Sequence, residues 1–186
     1  MRIKYNAPTV LTFTFVSTAV LIFSQTLFPS LTETWFVVPG KGGFSPSLFR
    51  DWLTLFTHVL GHANWTHLVS NFSIILLIGP ILEETYGSLS LLLMIALTAL
   101  VTGLLNIAFF PTALLGASGV VFMMILLASF TNFNKGEIPL TFLLILVLYL
   151  GRELFASFSS NNISEFAHIV GGFCGSLFGF FRPPKA

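Results

Sequence analysis

Charge is scarce in this chain: Asp, Glu, Lys and Arg together make up 8% of 186 residues, about a third of the share in a soluble domain. So thin a polar surface excludes an ordinary water-soluble globule. The net charge of +1 and the lack of any basic tract give no purchase for nucleic acid. A lone cysteine, Cys174, excludes an internal disulfide and any multi-cysteine metal site, and its Gly-rich surroundings read as packing. The HExxH pattern of zinc proteases is also missing, so the histidines are expected to hold no metal. Low-complexity tracts, linkers and repeats are absent too, and residues 1–186 are expected to form a single domain.

What fills the space is apolar: 55% of residues are hydrophobic and 22 are Phe. A membrane-spanning helix needs about 20 mostly apolar residues. Stretches of that kind lie at about 9–28, 66–82, 88–110, 117–133, 138–158 and 164–181. The expected fold is therefore an all-α polytopic bundle of six transmembrane helices. The first stretch is long for the apolar part of a signal peptide and has no small-residue cleavage site, so it is expected to stay as a span. Arg2, Lys4, Lys135, Arg182 and Lys185 fall on one side of such a bundle and Lys41, Arg50 and Arg152 on the other. By the positive-inside bias, both termini are expected in the cytoplasm. The loop at 29–65 carries Trp35, Phe36, Phe44, Phe49, Trp52, Phe56 and Trp65 between its prolines and glycines, and is expected to lie partly in the outer membrane interface.

Polar side chains within spans are costly and mark candidate sites. His67 and Asn71 in HANWTHLVSN are four residues apart, on one helix face; Ser118 sits in LLGASGVVF; His168 sits in EFAHIVGGFCG. Asn71 is 12 residues from the polar end at Glu83, Ser118 is 14 from Asn132, and His168 is 14 from Arg182. At 1.5 Å per residue, all three stand roughly 18–21 Å above the inner boundary. Counted from Ser118, the fourth span is too short to cross alone. Residues 111–117 must then enter the membrane as irregular backbone, which is tolerated only against protein or in a water-filled cavity. Gly116 and Gly119 let that backbone turn tightly, and the free amides of the helix start face any anion formed nearby. On the last helix, Gly171, Gly172, Gly175 and Gly179 lie within about 60° of the His168 direction, a smooth stripe for another helix. If that helix is the fourth, the contact carries His168 to Ser118.

Each feature also has a purely structural reading: Ser118 as a helix cap, His168 as a satisfied interior histidine, His67 and Asn71 as interhelical hydrogen-bonding residues. The combination, however, resembles the rhomboid family of intramembrane serine proteases. HLVSN at 67–71 matches its HxxxN, GASG at 116–119 its GxSG, AHIVGG at 167–172 its AHxxG, and LEETYG at 82–87 its acidic-to-glycine segment. The resemblance covers about residues 55–182. It implies Ser118 as nucleophile and His168 as general base, without a cofactor. Asn71, His67 and the Ser118 backbone N–H would form the oxyanion hole. It further implies multi-pass residence in the cell (inner) membrane, and single-span or other transmembrane proteins as substrates. Two positions depart from the family. Its Trp-Arg pair in the first external loop has no clear counterpart. Phe122 stands where many bacterial members have a tyrosine packed on the histidine, and its ring is expected to pack there without the hydroxyl. The alternative is a rhomboid-like pseudoenzyme that binds transmembrane helices uncut.

Overall fold

The computed structural model describes residues 3–130, 138, 140–145, 147–148 and 163–181. Eight α-helices are found among them: α1 Pro8–Thr26, α2 Leu31–Trp35, α3 Phe49–Thr57, α4 Trp65–Tyr86, α5 Ser88–Phe109, α6 Ser118–Ala128, α7 Leu140–Ile145 and α8 Ile163–Phe181. A 3-10 turn, His58–Leu60, follows α3. The described residues form no strand, only one antiparallel bridge between Val38 and Leu114.

Among the described residues three helices, α1, α4 and α5, are long and apolar enough to cross a membrane. They account for the stretches expected at 9–28, 66–82 and 88–110. The fourth stretch is helical over the 11 residues of α6, and the sixth lies within α8. Most of the fifth, 138–158, lies outside the described residues. α4 runs four residues past the apolar stretch to Tyr86, where Gly87 at φ +86° stops it and starts α5 at once. Its first turn is capped by Asn64, whose side-chain oxygen accepts the His67 N–H at 2.9 Å.

α1 has no side-chain cap of its own. Pro8 opens it, where the missing N–H costs nothing. The next two amides, Thr9 and Val10, donate to the two carboxylate oxygens of Glu83 on α4, at 2.8 and 3.0 Å. This buried carboxylate thus satisfies two otherwise orphaned helix-start donors.

α6 is the centre of the bundle. Val120, Met123, Met124, Leu126 and Leu127 are fully buried, as expected of a helix apolar on every side. On α4 and α5, by contrast, Leu77, Leu89, Leu92 and Leu97 are exposed, an outward face suited to lipid.

α6 and α8 pack closest and in parallel. A Cβ on Gly171 would overlap the Gly119 carbonyl, one on Gly175 the Met123 carbonyl, and one on Gly179 the Phe130 ring. Contacts this close between backbones are available only to glycine.

Candidate active site

The first element of the site is irregular backbone. Residues 111–116 join α5 to α6 without helical hydrogen bonds, and the segment takes its backbone partners from elsewhere. Val38 and Leu114 exchange both backbone bonds at 2.9 and 3.0 Å, the Lys41 N–H donates to the Phe110 carbonyl at 2.6 Å, and the Gly116 N–H donates to the His58 carbonyl at 2.9 Å. The buried Asn106 adds its side-chain amide to the Thr112 carbonyl at 3.0 Å. The loop between α1 and α4 is therefore the hydrogen-bonding partner of this non-helical backbone, whose Leu114, Gly116 and Ala117 are buried. A Cβ on Gly40 would overlap the Pro111 carbonyl, which keeps the two segments in direct contact.

Gly116 marks the turn into α6. Its φ of +110° suits glycine alone, and a Cβ there would stand 2.7 Å from His67 Nε2 and 3.8 Å from Asn71 Nδ2. The GASG loop thus lies directly against the two polar residues of α4. Asn71 is buried and His67 half-buried.

Ser118 is the first residue of α6 and is half-buried. The residues around it meet the residues around His168. A Cβ on Gly119 would stand 3.2 Å from the Ala167 carbonyl, and Gly171 abuts Gly119. One turn on, the Phe122 ring stacks on the His168 imidazole, with centroids 4.3 Å apart and planes 7° from parallel. The ring contact expected from the sequence is therefore present, without a hydroxyl. Gly171, Gly172 and Gly175 are all buried on the α8 side. The residues singled out in the sequence, on α4, α6 and α8, thus come together around the start of α6.

His62 opens the HANWTHLVSN stretch and completes no metal-binding motif in the sequence. Among the described residues no three His, Cys, Asp or Glu side chains gather as a metal-binding group. Instead His62 is buried beside the loop. Its Nε2 lies 3.1 Å from Asn71 Nδ2 and 3.4 Å from the Ala117 N–H, its Nδ1 3.3 Å from the Leu60 carbonyl. Its ring meets His67 edge-on at 4.9 Å. Burial, with the neighbouring His67 charge adding to it, lowers the His62 pKa to about 4, against the opposing pull of the Leu60 carbonyl. Fully buried His58, whose Nε2 pairs with the Ala99 carbonyl at 3.1 Å, is likewise lowered to about 4 by burial, with that carbonyl opposing. Both imidazoles are neutral near pH 7.

The Rhomboid domain profile matches residues 50–185. The chain is 25% identical over 127 residues to rhomboid protease GlpG of Haemophilus influenzae, covering 67% of this chain and 66% of that protein. It is 30% identical over 136 residues to putative rhomboid protease YdcA of Bacillus subtilis, covering 68% and 65%. It is 33% identical over 156 residues to rhomboid-related protein 1 of Caenorhabditis elegans, covering 76% and 43%. The chain therefore spans just under two thirds of the length of the two bacterial relatives, and less than half of the third.

Proposed function

The chain belongs to the rhomboid family and is a multi-pass membrane protein; on that premise we propose that it is an intramembrane serine protease, cleaving peptide bonds in or beside transmembrane segments of other membrane proteins. Ser118 Oγ attacks the scissile carbonyl carbon while His168 accepts its proton. The tetrahedral oxyanion takes hydrogen bonds from the Asn71 amide, His67 and the Ser118 backbone N–H. Collapse breaks the C–N bond, and His168 returns the proton to the leaving amine. Water, activated by His168 in turn, then hydrolyses the acyl-enzyme. No metal or cofactor enters the scheme.

One observation carries this reading: the α6–α8 contact sets Gly119 against Ala167 and Phe122 against His168, within the first turns of the helix that Ser118 opens. The GASG loop, pressed on His67 and Asn71, supplies the oxyanion side of the same place. A six-span core in the cell's inner membrane, with both termini cytoplasmic, completes the proposal.

The test uses purified chain in detergent or liposomes with single-span substrates and a fluorophosphonate probe. Wild type cleaves and is labelled; Ser118→Ala does neither while keeping its thermal midpoint. Cleavage surviving in Ser118→Ala overturns the dyad. Capture of uncut substrate, equal in wild type and Ser118→Ala and with no labelling, would instead establish a binding protein.

A further inference from the structure

We propose that His62 is a positioning residue that fixes which end of the Asn71 carboxamide faces the serine loop, an inference that rests on the proposed protease function. The hydrogen bonds around the ring determine its tautomer. The Ala117 backbone N–H can only donate, and it meets Nε2; the Leu60 carbonyl can only accept, and it meets Nδ1. Both backbone groups require the same neutral form, with the proton on Nδ1 and a bare Nε2.

A bare Nε2 is an acceptor, so the Asn71 atom opposite it must be the donor. At 3.1 Å that atom is Nδ2. The carboxamide is thereby prevented from flipping end for end, an ambiguity that geometry without a partner does not resolve. With one Nδ2 proton on His62, the same nitrogen stands 3.8 Å from the Cβ direction of Gly116, facing the loop that leads into Ser118. Its second proton is free to bind an oxyanion. A flipped amide would present Oδ1 instead and repel one. Because Nε2 also receives the Ala117 N–H, the same ring ties the turn before Ser118 to the amide that serves it. His62 touches neither substrate nor the reacting atoms; it acts through Asn71.

The test is a double-mutant cycle on purified full-length chain, reading kcat, KM and thermal midpoint for wild type, His62→Ala, Asn71→Ala and the double variant, with His62→Gln as the conservative replacement. Asn71→Ala lowers kcat about 10²-fold with KM little changed. His62→Ala lowers kcat about 10-fold or more with KM likewise unchanged, and the double variant is no slower than Asn71→Ala alone to within about threefold. His62→Gln, whose Oε1 can still accept, recovers part of the loss. Should His62→Ala not fold, the cycle is run with His62→Gln against Asn71→Ala. The imidazole 15N spectrum supplies a reading independent of activity: Nδ1 protonated, Nε2 bare. Losses that multiply in the double variant, an unchanged kcat in His62→Ala, or a protonated Nε2 would each overturn the role while leaving the protease reading intact. A wild type that neither cleaves nor labels overturns both.

Discussion

Two regions hold the candidate site, by opposite means. Between α6 and α8 the contact is steric: glycines laid against the Gly119 and Met123 carbonyls, with no room for a side chain. Between the loop that joins α1 to α4 and residues 110–117 it is polar, resting on backbone bonds from Val38, Lys41 and His58 and on side chains such as Asn106 and His62. Packing of the first kind is all-or-none, because filled volume has nowhere to go. Hydrogen bonds are graded, each worth about 0.5–1.5 kcal/mol net. Filling the glycine seam beside Ser118 and His168 is thus expected to do severe damage, and losing a bond on the side proposed to hold the oxyanion partial damage.

Gly171→Leu drives a side chain into the Gly119 backbone, and should abolish both cleavage and fluorophosphonate labelling. Its thermal midpoint should fall by more than the about 1–3 kcal/mol of ordinary overpacking implies. A variant that folds and labels normally would show that the helix contact is looser than its geometry. Next comes Gly116→Ala. The methyl collides with the His67 ring, the end of a side chain, and only touches Asn71 Nδ2 at 3.8 Å, while the φ of +110° strains the backbone. With His67, a proposed oxyanion donor, displaced, kcat should fall by about 10²-fold while the chain stays folded. Total unfolding here would erase the distinction between the two regions.

A smaller effect follows from acid. In the folded chain His58 and His62 take up protons only near pH 4, whereas in the unfolded chain they do so near 6.5. Between those values the unfolded state binds more protons, so stability is full above about 6.5 and declines as pH falls toward 4. The slope is about 1.4 kcal/mol per pH unit for each histidine. Thermal midpoints across that window, in wild type and His62→Gln, measure it: the variant should show the shallower decline. Identical slopes would remove His62 from the polar region's energetics. The smallest effect belongs to Phe122. Phe122→Leu forfeits a ring contact worth about 0.5–1.5 kcal/mol and should slow kcat by at most about tenfold, whereas Phe122→Tyr keeps the stack and should stay near wild type.

The steric region was the more legible in sequence, for a physical reason. Glycines at four-residue spacing announce a packing face directly, and the expected partner, the helix beginning at Ser118, is the one that α8 meets. The long apolar helices were equally plain, since length and hydropathy alone define them. The polar region was hidden because its bonds are non-local. Val38 pairs with Leu114 across the entire span of α4 and α5, and no local pattern announces a two-residue bridge in a helical protein. Glu83 reads as the polar end of a span, while its carboxylate caps a helix that begins 75 residues earlier at Pro8. His62 completes no metal-binding motif and lies outside the HxxxN match at 67–71. The overlooked signal is its place just before the α4 cap, from which its ring can reach Asn71 two turns along.

The repeat along the α6–α8 seam has a consequence for assembly. Successive contacts advance by one turn on both helices, from Gly119 to Met123 on one and from Gly171 to Gly175 on the other. Such a seam works like a vernier: the helices can seat only at notches one turn apart, a step of about 5.4 Å. A chain seated one notch out would carry His168 a full turn away from Ser118. With the proposed dyad, misassembled molecules are then catalytically silent instead of slow. Heating or detergent damage would lower the number of serines that can be titrated and leave the turnover of each remaining one unchanged.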